Sequence, residues 1–155
     1  MTEAGFGESH RDRELIAFKV GGQEYCVDVK NVREIRGWSP ATPIPHAPPS
    51  MLGVINLRGL VLPIIDLASR MGFAPTVPTS RHVIMVVEQG KQVLGLLVDA
   101  VSEIFGASRE DIQPTPDAAS VSAKKLVQGV ISGEGRMISL VSLDEVTAFS
   151  GEIAT

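Results

Sequence analysis

The sequence predicts an all-β protein built from two small barrels that share a core. Short apolar segments, bounded by glycine turns and proline-rich loops, are typical of a chain of short strands. The longest apolar run, Gly53 to Leu67, holds almost no charge and is interrupted at Gly59, where a strand bends or turns. The same order of segments also occurs twice along the chain, which indicates two related lobes.

An internal repeat supports this division into lobes. A shift of 69 residues superimposes Glu34 on Glu103, and a shift of 76 residues superimposes Gly53-Val54-Ile55 on Gly129-Val130-Ile131. Because one five-stranded barrel of this size has a thin core, we expect the two barrels to pack together and bury a second core. Whether the lobes exchange strands is left open. The predicted boundaries are 1–13 for a flexible tail, 14–150 for the single domain, and about 14–80 and 81–148 for the lobes.

The elements of the first half follow from turn residues and apolar spacing. Strands at 15–20 and 23–27 flank a double-glycine turn and are expected to form a hairpin. Apolar residues at every third position favour a short helix over 28–35. Five prolines exclude a helix from 38–50, and 53–67 then supplies two strands.

The second half is predicted to repeat these elements. Strands at 83–87 and 93–98 form the next hairpin, and a short helix is expected at 99–104. A proline loop follows. The segment 129–143 supplies a strand pair, and 143–149 a closing helical turn.

Composition excludes several functional classes. The chain has 155 residues and a net charge of −4, which argues against a nucleic-acid surface. Since no apolar run reaches the roughly 20 residues of a membrane span and the polar start lacks a secretory leader, we expect a cytoplasmic protein. Cys26 is the only cysteine, so it is predicted to be a core residue in a reducing compartment.

No side-chain pattern in the sequence is typical of catalysis. His10, His46 and His82 lie far apart without a second ligand at metal spacing, so no metal or cofactor is expected. Cys26 has no histidine in its motif, and no serine lies in a nucleophile elbow. We therefore expect a binding module, with a small enzyme using Cys26 or a histidine as one alternative. A small-molecule or nucleic-acid binding module on paired barrels is another.

The turn at Arg58 is the candidate contact surface. Arg58 precedes the Gly59 corner, so its side chain is expected to project outward. Its repeat counterpart is Glu134, whereas both hairpins keep their glycines. We therefore interpret the glycines as structural residues of the barrels. The arginine occurs in one lobe only, so it is the better candidate for a functional residue. A buried strand pair with a solvated arginine at its turn is the alternative.

Five segments resemble the CheW family, the coupling proteins of bacterial chemotaxis. The segments are 31–37, 53–59, 61–67, 95–99 and 112–116. The resemblance runs from about residue 14 to residue 148. It implies an all-β fold of two intertwined five-stranded SH3-like β-barrels with a few short helices.

The resemblance also implies a noncatalytic adaptor. Such a protein couples the signalling tips of chemoreceptors, the methyl-accepting chemotaxis proteins, to the histidine kinase CheA, and it supports kinase activation and control in receptor arrays. The implied partners are the CheA regulatory domain and the receptor cytoplasmic tip, without nucleic acid or direct membrane insertion. We expect a monomer in isolation, and the length leaves no room for a kinase or receiver domain. A scaffold for a non-motility receptor–kinase pathway is the alternative.

Family positions transfer to this chain residue by residue. The implied receptor-binding residues are Val32, Glu34, Gly53, Arg58 and Gly59. The residues implied to shape the receptor groove are Gly37, Gly95, Ile104 and Gly129. Since a receptor tip is a helical hairpin, an apolar side chain flanked by one acid and one arginine is suited to bind it.

Two further surfaces come from the same resemblance. The kinase-binding residues are placed at Thr42, Ile44 and Val61. The loop that closes rings of couplers and kinases corresponds to Gln113 and Ala118, where the family pattern leads us to expect a basic and an aromatic residue. This chain departs from the pattern at both positions.

Overall fold

The computed structural model describes residues 13–115, 125–133 and 135–148. Nearly all of the predicted tail, and Ala118, lie outside these residues. The strands are β1 (Arg13–Val20), β2 (Gln23–Asp28), β3 (Val32–Gly37), β4 (Met51–Leu57), β5 (Leu60–Asp66), β6 (Val83–Gln89), β7 (Gln92–Val98), β8 (Ala100–Ala107), β9 (Ile112–Gln113), β10 (Val127–Gly133) and β11 (Arg136–Val141). The helices are α1 (Leu67–Arg70) and α2 (Leu143–Ala148).

The strands form two sheets that exchange their hairpins. One sheet has the order β8-β1-β2-β11-β10-β9, and the other has the order β3-β6-β7-β5-β4. Each sheet therefore combines the first hairpin of one half of the chain with later strands of the other half. Hairpin β1–β2 joins strands β8 to β11, and hairpin β6–β7 joins strands β3 to β5. The exchanged strands meet in parallel, β2 with β11 and β5 with β7. The predicted all-β, intertwined fold is confirmed.

Three apolar clusters fill the molecule, one in each sheet and one between them. The first lies within the five-stranded sheet and consists of Ile55, Leu57, Leu62, Ile64, Ile84, Val86 and Leu97. The second lies within the six-stranded sheet and consists of Leu15, Cys26, Ala107, Ile131, Ile138 and Leu140. The third takes side chains from both sheets, among them Phe18, Val27, Ile65, Leu67, Met85 and Leu96. We call this third cluster the shared core.

Strand β6 shows how the shared core arises. Ile84 and Val86 face the inside of the five-stranded sheet, whereas Met85 and Val87 face the shared core. Successive side chains of a strand point to opposite faces, so an uninterrupted apolar run is required when both faces are buried. Burying one such side chain contributes about 1.5–3 kcal/mol, so the shared core holds the two barrels together.

The predicted helices at 28–35 and 99–104 are wrong. Only Val29–Asn31 is helical, as a single 3₁₀ turn in which the Asp28 carboxylate accepts a hydrogen bond from the Lys30 N–H at 2.9 Å. Strand β3 follows and pairs with β6, and strand β8 takes the equivalent place in the second half. Apolar residues three apart point to opposite faces of a strand, and Ile35 is accordingly 44% exposed. Pairing of β3 with the distant strand β6 outweighed the local helical spacing.

Gly53 and Gly129 let loops approach the sheets closely. A Cβ on Gly53 would lie 2.3 Å from the Thr42 carbonyl oxygen, and Gly53 has a φ of +145°. Thr42 and Val54 exchange two backbone hydrogen bonds beside it, at 2.8 and 2.9 Å. In the second half, a Cβ on Gly129 would lie 2.7 Å from the Gln113 carbonyl oxygen. The absence of a side chain is thus structural at both positions.

The close approach at Gly53 predicts a large loss of stability on substitution. Gly53→Ala should lower the free energy of unfolding by about 1–3 kcal/mol, because the methyl group meets backbone and the φ is unfavourable for alanine. Gly37→Ala is the matched control, since nothing lies within 4 Å of its added Cβ. Urea unfolding midpoints measure both. Equal midpoints for the two variants would contradict the close approach.

Cys26 is fully buried in the six-stranded barrel, as predicted for a core residue. Burial raises the pKa of its thiol to about 12, because the thiolate would lose its hydration. The thiol therefore stays protonated and unreactive in the folded protein.

This raised pKa predicts a pH dependence of stability. The unfolded chain releases the Cys26 proton near pH 9.0, whereas the folded protein keeps it to about pH 12. Within that window the unfolded state binds fewer protons, so stability should fall by up to about 1.4 kcal/mol per pH unit relative to a Cys26→Ala variant. Urea unfolding of both proteins below and above pH 9.0 measures the difference. A difference that does not change with pH would show that Cys26 ionises equally in both states.

Candidate functional site

The candidate site is built on the tight turn between β4 and β5. Leu57 pairs with Leu60 across the hairpin, and Arg58 and Gly59 form the two-residue turn between them. Both turn residues have positive φ, 53° for Arg58 and 87° for Gly59, as a two-residue turn of the I′ type requires. The Gly59 N–H donates a hydrogen bond to the Asn56 side-chain oxygen at 3.0 Å. The predicted turn at Gly59 is present, and Arg58 projects from it.

An ion pair joins this turn to the opposite edge of the same sheet. Arg58 Nη2 lies 2.5 Å from Glu34 Oε1 on β3, and Arg36 Nη1 lies 3.7 Å from Glu34 Oε2. Strands β3 and β4 are the two edges of the five-stranded sheet. The pair therefore spans the edges where the sheet curls toward itself. The Arg58 side chain remains 72% exposed, so a partner can reach it.

A pocket of about 280 Å³ lies beside this ion pair. Leu57 and Val86, which belong to the inner cluster of the five-stranded barrel, form its base. We call it the mouth pocket, since it opens at the end of that barrel. Its lining residues are Arg33, Glu34, Leu57, Arg58, Leu60, Val86 and Val93. An apolar base with a charged rim is suited to an apolar side chain flanked by polar groups.

The implied receptor residues divide into two groups in space. Glu34 and Arg58 line the mouth pocket, and Gly59 completes the turn beside it. Val32 is half-buried against the shared core, and Gly53 lies under the proline loop. The structure thus brings three of the five residues together, and the assignment of all five to a receptor stays a prediction.

The four groove-shaping positions are divided between the two sheets. Gly95 faces the inside of the five-stranded barrel, where an added Cβ would lie 2.8 Å from two isoleucine side chains. Gly37 ends β3. Ile104 and Gly129 belong to β8 and β10 of the six-stranded sheet. Gly37 and Ile104 are exposed, whereas Gly95 and Gly129 are buried. The role of the four positions in shaping a receptor groove stays a prediction.

A second depression lies on the other face of the β4–β5 hairpin. Thr42 and Val61, two of the three implied kinase-binding residues, line it, and we call it the loop hollow. Its other lining residues are Arg36, Ser39, Pro40, Val54, Ile55 and Asn56. Val61 is 62% exposed, which is unusual for a valine on a strand. Ile44 is instead half-buried against the shared core.

The implied ring-contact loop is described only in part. Gln113 is exposed at the end of β9, and its carbonyl oxygen faces Gly129. Ala118 lies outside the described residues. A ring contact at these positions stays a prediction.

Sequence reasoning missed most of the residues that line the mouth pocket. Leu57, Leu60, Val86 and Val93 lie in apolar segments, where a buried core side chain and a pocket side chain look alike. Arg33 was hidden by the wrong helix prediction at 28–35. Assignment of 32–37 as a strand would have placed Arg33 and Glu34 together at one strand end, and this adjacent pair of charges is the feature that could have pointed to the pocket rim.

The equivalent end of the six-stranded barrel is occupied by charged side chains. Arg136 donates hydrogen bonds to Glu24 and Glu103, at 2.8 Å in each case. These hydrogen bonds hold the pKa of the Glu24 carboxyl below its usual value and raise that of Arg136. Since Arg136 links β11 to β2 and β8, it ties three strands together at this end.

The repeat makes the two barrel ends directly comparable. Glu103 is the counterpart of Glu34, and Arg136 is the counterpart of Leu60. Both barrels therefore pair this acid with an arginine, although the counterpart of Arg58 itself is an acid, as the repeat predicts. The two arginines come from different positions, and the counterpart of Arg58, Glu134, lies outside the described residues. Where the six-stranded barrel end has Arg136, the five-stranded barrel end has Leu60, which lines the mouth pocket.

Within 13–115, 125–133 and 135–148, no cluster of three or more His, Cys, Asp or Glu side chains has an arrangement that could hold a metal ion. In the same residues, no helix has the length and apolar character needed to cross a membrane.

Known proteins with similar sequence and structure agree on one family. Residues 14–149 match the family model of the CheW-like domain. The chain is 58% identical over 146 residues to the chemotaxis protein CheW of Rhizobium meliloti (strain 1021), covering 94% of each chain. It is 56% identical over 133 residues to the probable chemotaxis protein CheW of Rhizobium etli, covering 86% of each.

A solved structure matches the fold over most of its length. The scaffolding protein TtCheW from Thermoanaerobacter tengcongensis superimposes with a TM-score of 0.77 at 30% identity. The match covers 84% of this chain and 88% of that one. These findings confirm the resemblance noted in the sequence and the SH3-like barrel fold that it implies. The chain belongs to the family of CheW-like domain proteins.

Proposed function

We propose that this protein is a noncatalytic chemotaxis adaptor that couples chemoreceptors to the histidine kinase CheA. The names of its relatives, chemotaxis protein CheW and scaffolding protein, support this proposal and favour it over a non-motility pathway. The observation that carries it is the β4–β5 hairpin, whose two faces border two separate depressions. Such a hairpin allows two partners to bind side by side, as an adaptor requires.

The mouth pocket is the proposed receptor site. Its apolar base fits an apolar side chain from the helical hairpin of a receptor cytoplasmic tip. Glu34 and Arg58 lie on the rim and can each contact a charge on the same helix. Because Arg58 is largely exposed, its guanidinium can turn from Glu34 to the receptor without first being uncovered.

The loop hollow is the proposed site for the regulatory domain of CheA. Val61 and Thr42 present exposed apolar and hydroxyl groups there. Val61 adjoins Val54, Ile55 and Pro40, and this apolar lining supports a contact surface. The hollow faces away from the mouth pocket because neighbouring residues of a strand point to opposite faces. We further propose that the protein is a monomer in isolation and that its partners place it at cytoplasmic receptor arrays.

Reversing the charge of Arg58 tests the receptor site. Arg58→Glu should weaken binding of a purified receptor cytoplasmic fragment by about tenfold or more, since a charge-assisted contact becomes a repulsive one. Isothermal titration calorimetry measures the affinity. Arg81→Glu is the matched control, because it makes the same charge change at an exposed position away from the pocket. Equal affinities for the two variants would contradict the assignment.

A charge swap separates a receptor contact from an internal pair. The double variant Glu34→Arg/Arg58→Glu can re-form the ion pair with its charges exchanged. If Arg58 contacts the receptor, the swapped protein should still bind weakly. Recovery of full affinity would show that Arg58 serves only the internal pair.

A further prediction concerns the kinase site. Val61→Glu should weaken binding of the CheA regulatory domain by about tenfold or more, because a charge would be buried in an apolar contact. Binding of the receptor fragment should be unchanged. Val77→Glu is the matched control, since Val77 is 80% exposed and lies in the connector before β6. A loss of kinase binding with both variants, or with neither, would refute a specific contact at Val61.

A further inference from the structure

Arg58 has a backbone conformation that residues with a side chain rarely adopt. Its φ is 53°, in the left-handed region, where a Cβ is disfavoured. The hairpin between β1 and β2 solves the same geometric problem with Gly21 and Gly22, whose φ values are 59° and 80°. An arginine in this position must therefore be held there by its surroundings.

Asn56 supplies a contact that holds the turn. Its side-chain oxygen accepts the Gly59 N–H at 3.0 Å, so the amide bridges the end of β4 to the second turn residue. Arg58 lies between these two residues. Asparagine is suited to this role because its short side chain places a carbonyl within reach of a backbone N–H a few residues along the chain.

The position of the turn determines where the guanidinium lies. With Arg58 in the left-handed conformation, Nη2 reaches Glu34 across the two edges of the sheet, at the rim of the mouth pocket. In another turn conformation, the side chain would leave the chain in a different direction. The repeat counterpart of Asn56 is Ser132, so the side-chain amide belongs to the hairpin that carries Arg58.

We propose that Asn56 is a positioning residue, which holds the turn so that Arg58 is presented at the rim of the mouth pocket. The inference rests on the proposed receptor site. It adds a residue that does not touch the receptor and that affects binding only through Arg58. Asn56 also borders the loop hollow. Its effect is therefore measured with the receptor fragment alone, in the absence of kinase.

Single variants give the first test. Asn56→Ala should lower affinity for the receptor fragment by about three- to tenfold, the range expected for loss of one hydrogen bond. Asn56→Asp should stay close to the wild type, because a carboxylate oxygen accepts the same N–H. Gln92→Ala is the matched control, an exposed amide at the neighbouring hairpin of the same barrel. Failure of Asn56→Asp to bind better than Asn56→Ala would overturn the proposal.

A double variant tests whether Asn56 acts through Arg58. In an Arg58→Ala background, Asn56→Ala should cost less than about twofold in receptor affinity, because the group that it positions is already gone. A merely structural role would give the same loss in both backgrounds, and that result would overturn the proposal. Circular dichroism and urea unfolding confirm that each compared variant is folded.

The outcomes separate this inference from the proposed function. If the wild-type chain binds no receptor fragment, the receptor site itself is refuted, and the inference falls with it. If the wild type binds and Asn56→Ala binds equally well, the proposed function stands and the positioning role is refuted.

Discussion

The structure depends on burying both faces of two hairpins, β1–β2 and β6–β7. Each hairpin has one face in the cluster of its own barrel and the other in the shared core. Both faces carry apolar side chains, and exposure of either face to water is unfavourable. Each hairpin therefore needs the other strands of its own sheet on one face and the second sheet on the other. The exchange of hairpins between halves of the chain satisfies both requirements and leaves neither barrel independent of the other.

This architecture leaves the β4–β5 turn at the end of a barrel, where it can meet a partner. The strand after the turn is anchored by parallel pairing of Ile64 with Gly95, while the turn itself extends beyond that pairing. An exposed ion pair such as that of Arg58 and Glu34 contributes only about 0–1 kcal/mol to stability. The pair therefore adds little to folding, which supports the proposed role of Arg58 and Glu34 in receptor binding. At the other barrel, Arg136 uses a similar pair to fill the corresponding end.

Local patterns were sufficient for the strands of the four hairpins, their glycine turns and the buried Cys26, because alternation and turn chemistry are encoded within a few residues. They were insufficient at 28–35, where apolar spacing suits a helix but pairing of β3 with β6 makes a strand. Family resemblance selected Glu34 and Arg58, which do meet. It could not identify Val86 and Val93 as pocket walls, because burial beside a pocket depends on how the sheet curls.

The most direct test of this account is a nuclear magnetic resonance titration of the methyl-labelled protein with a receptor cytoplasmic fragment. The account predicts that the first and largest shifts occur at Leu57, Leu60, Val86 and Val93, around the mouth pocket. Methyl groups inside the six-stranded barrel, such as those of Ile138 and Leu140, should change little. Shifts concentrated in the six-stranded barrel, with the mouth pocket unperturbed, would contradict it.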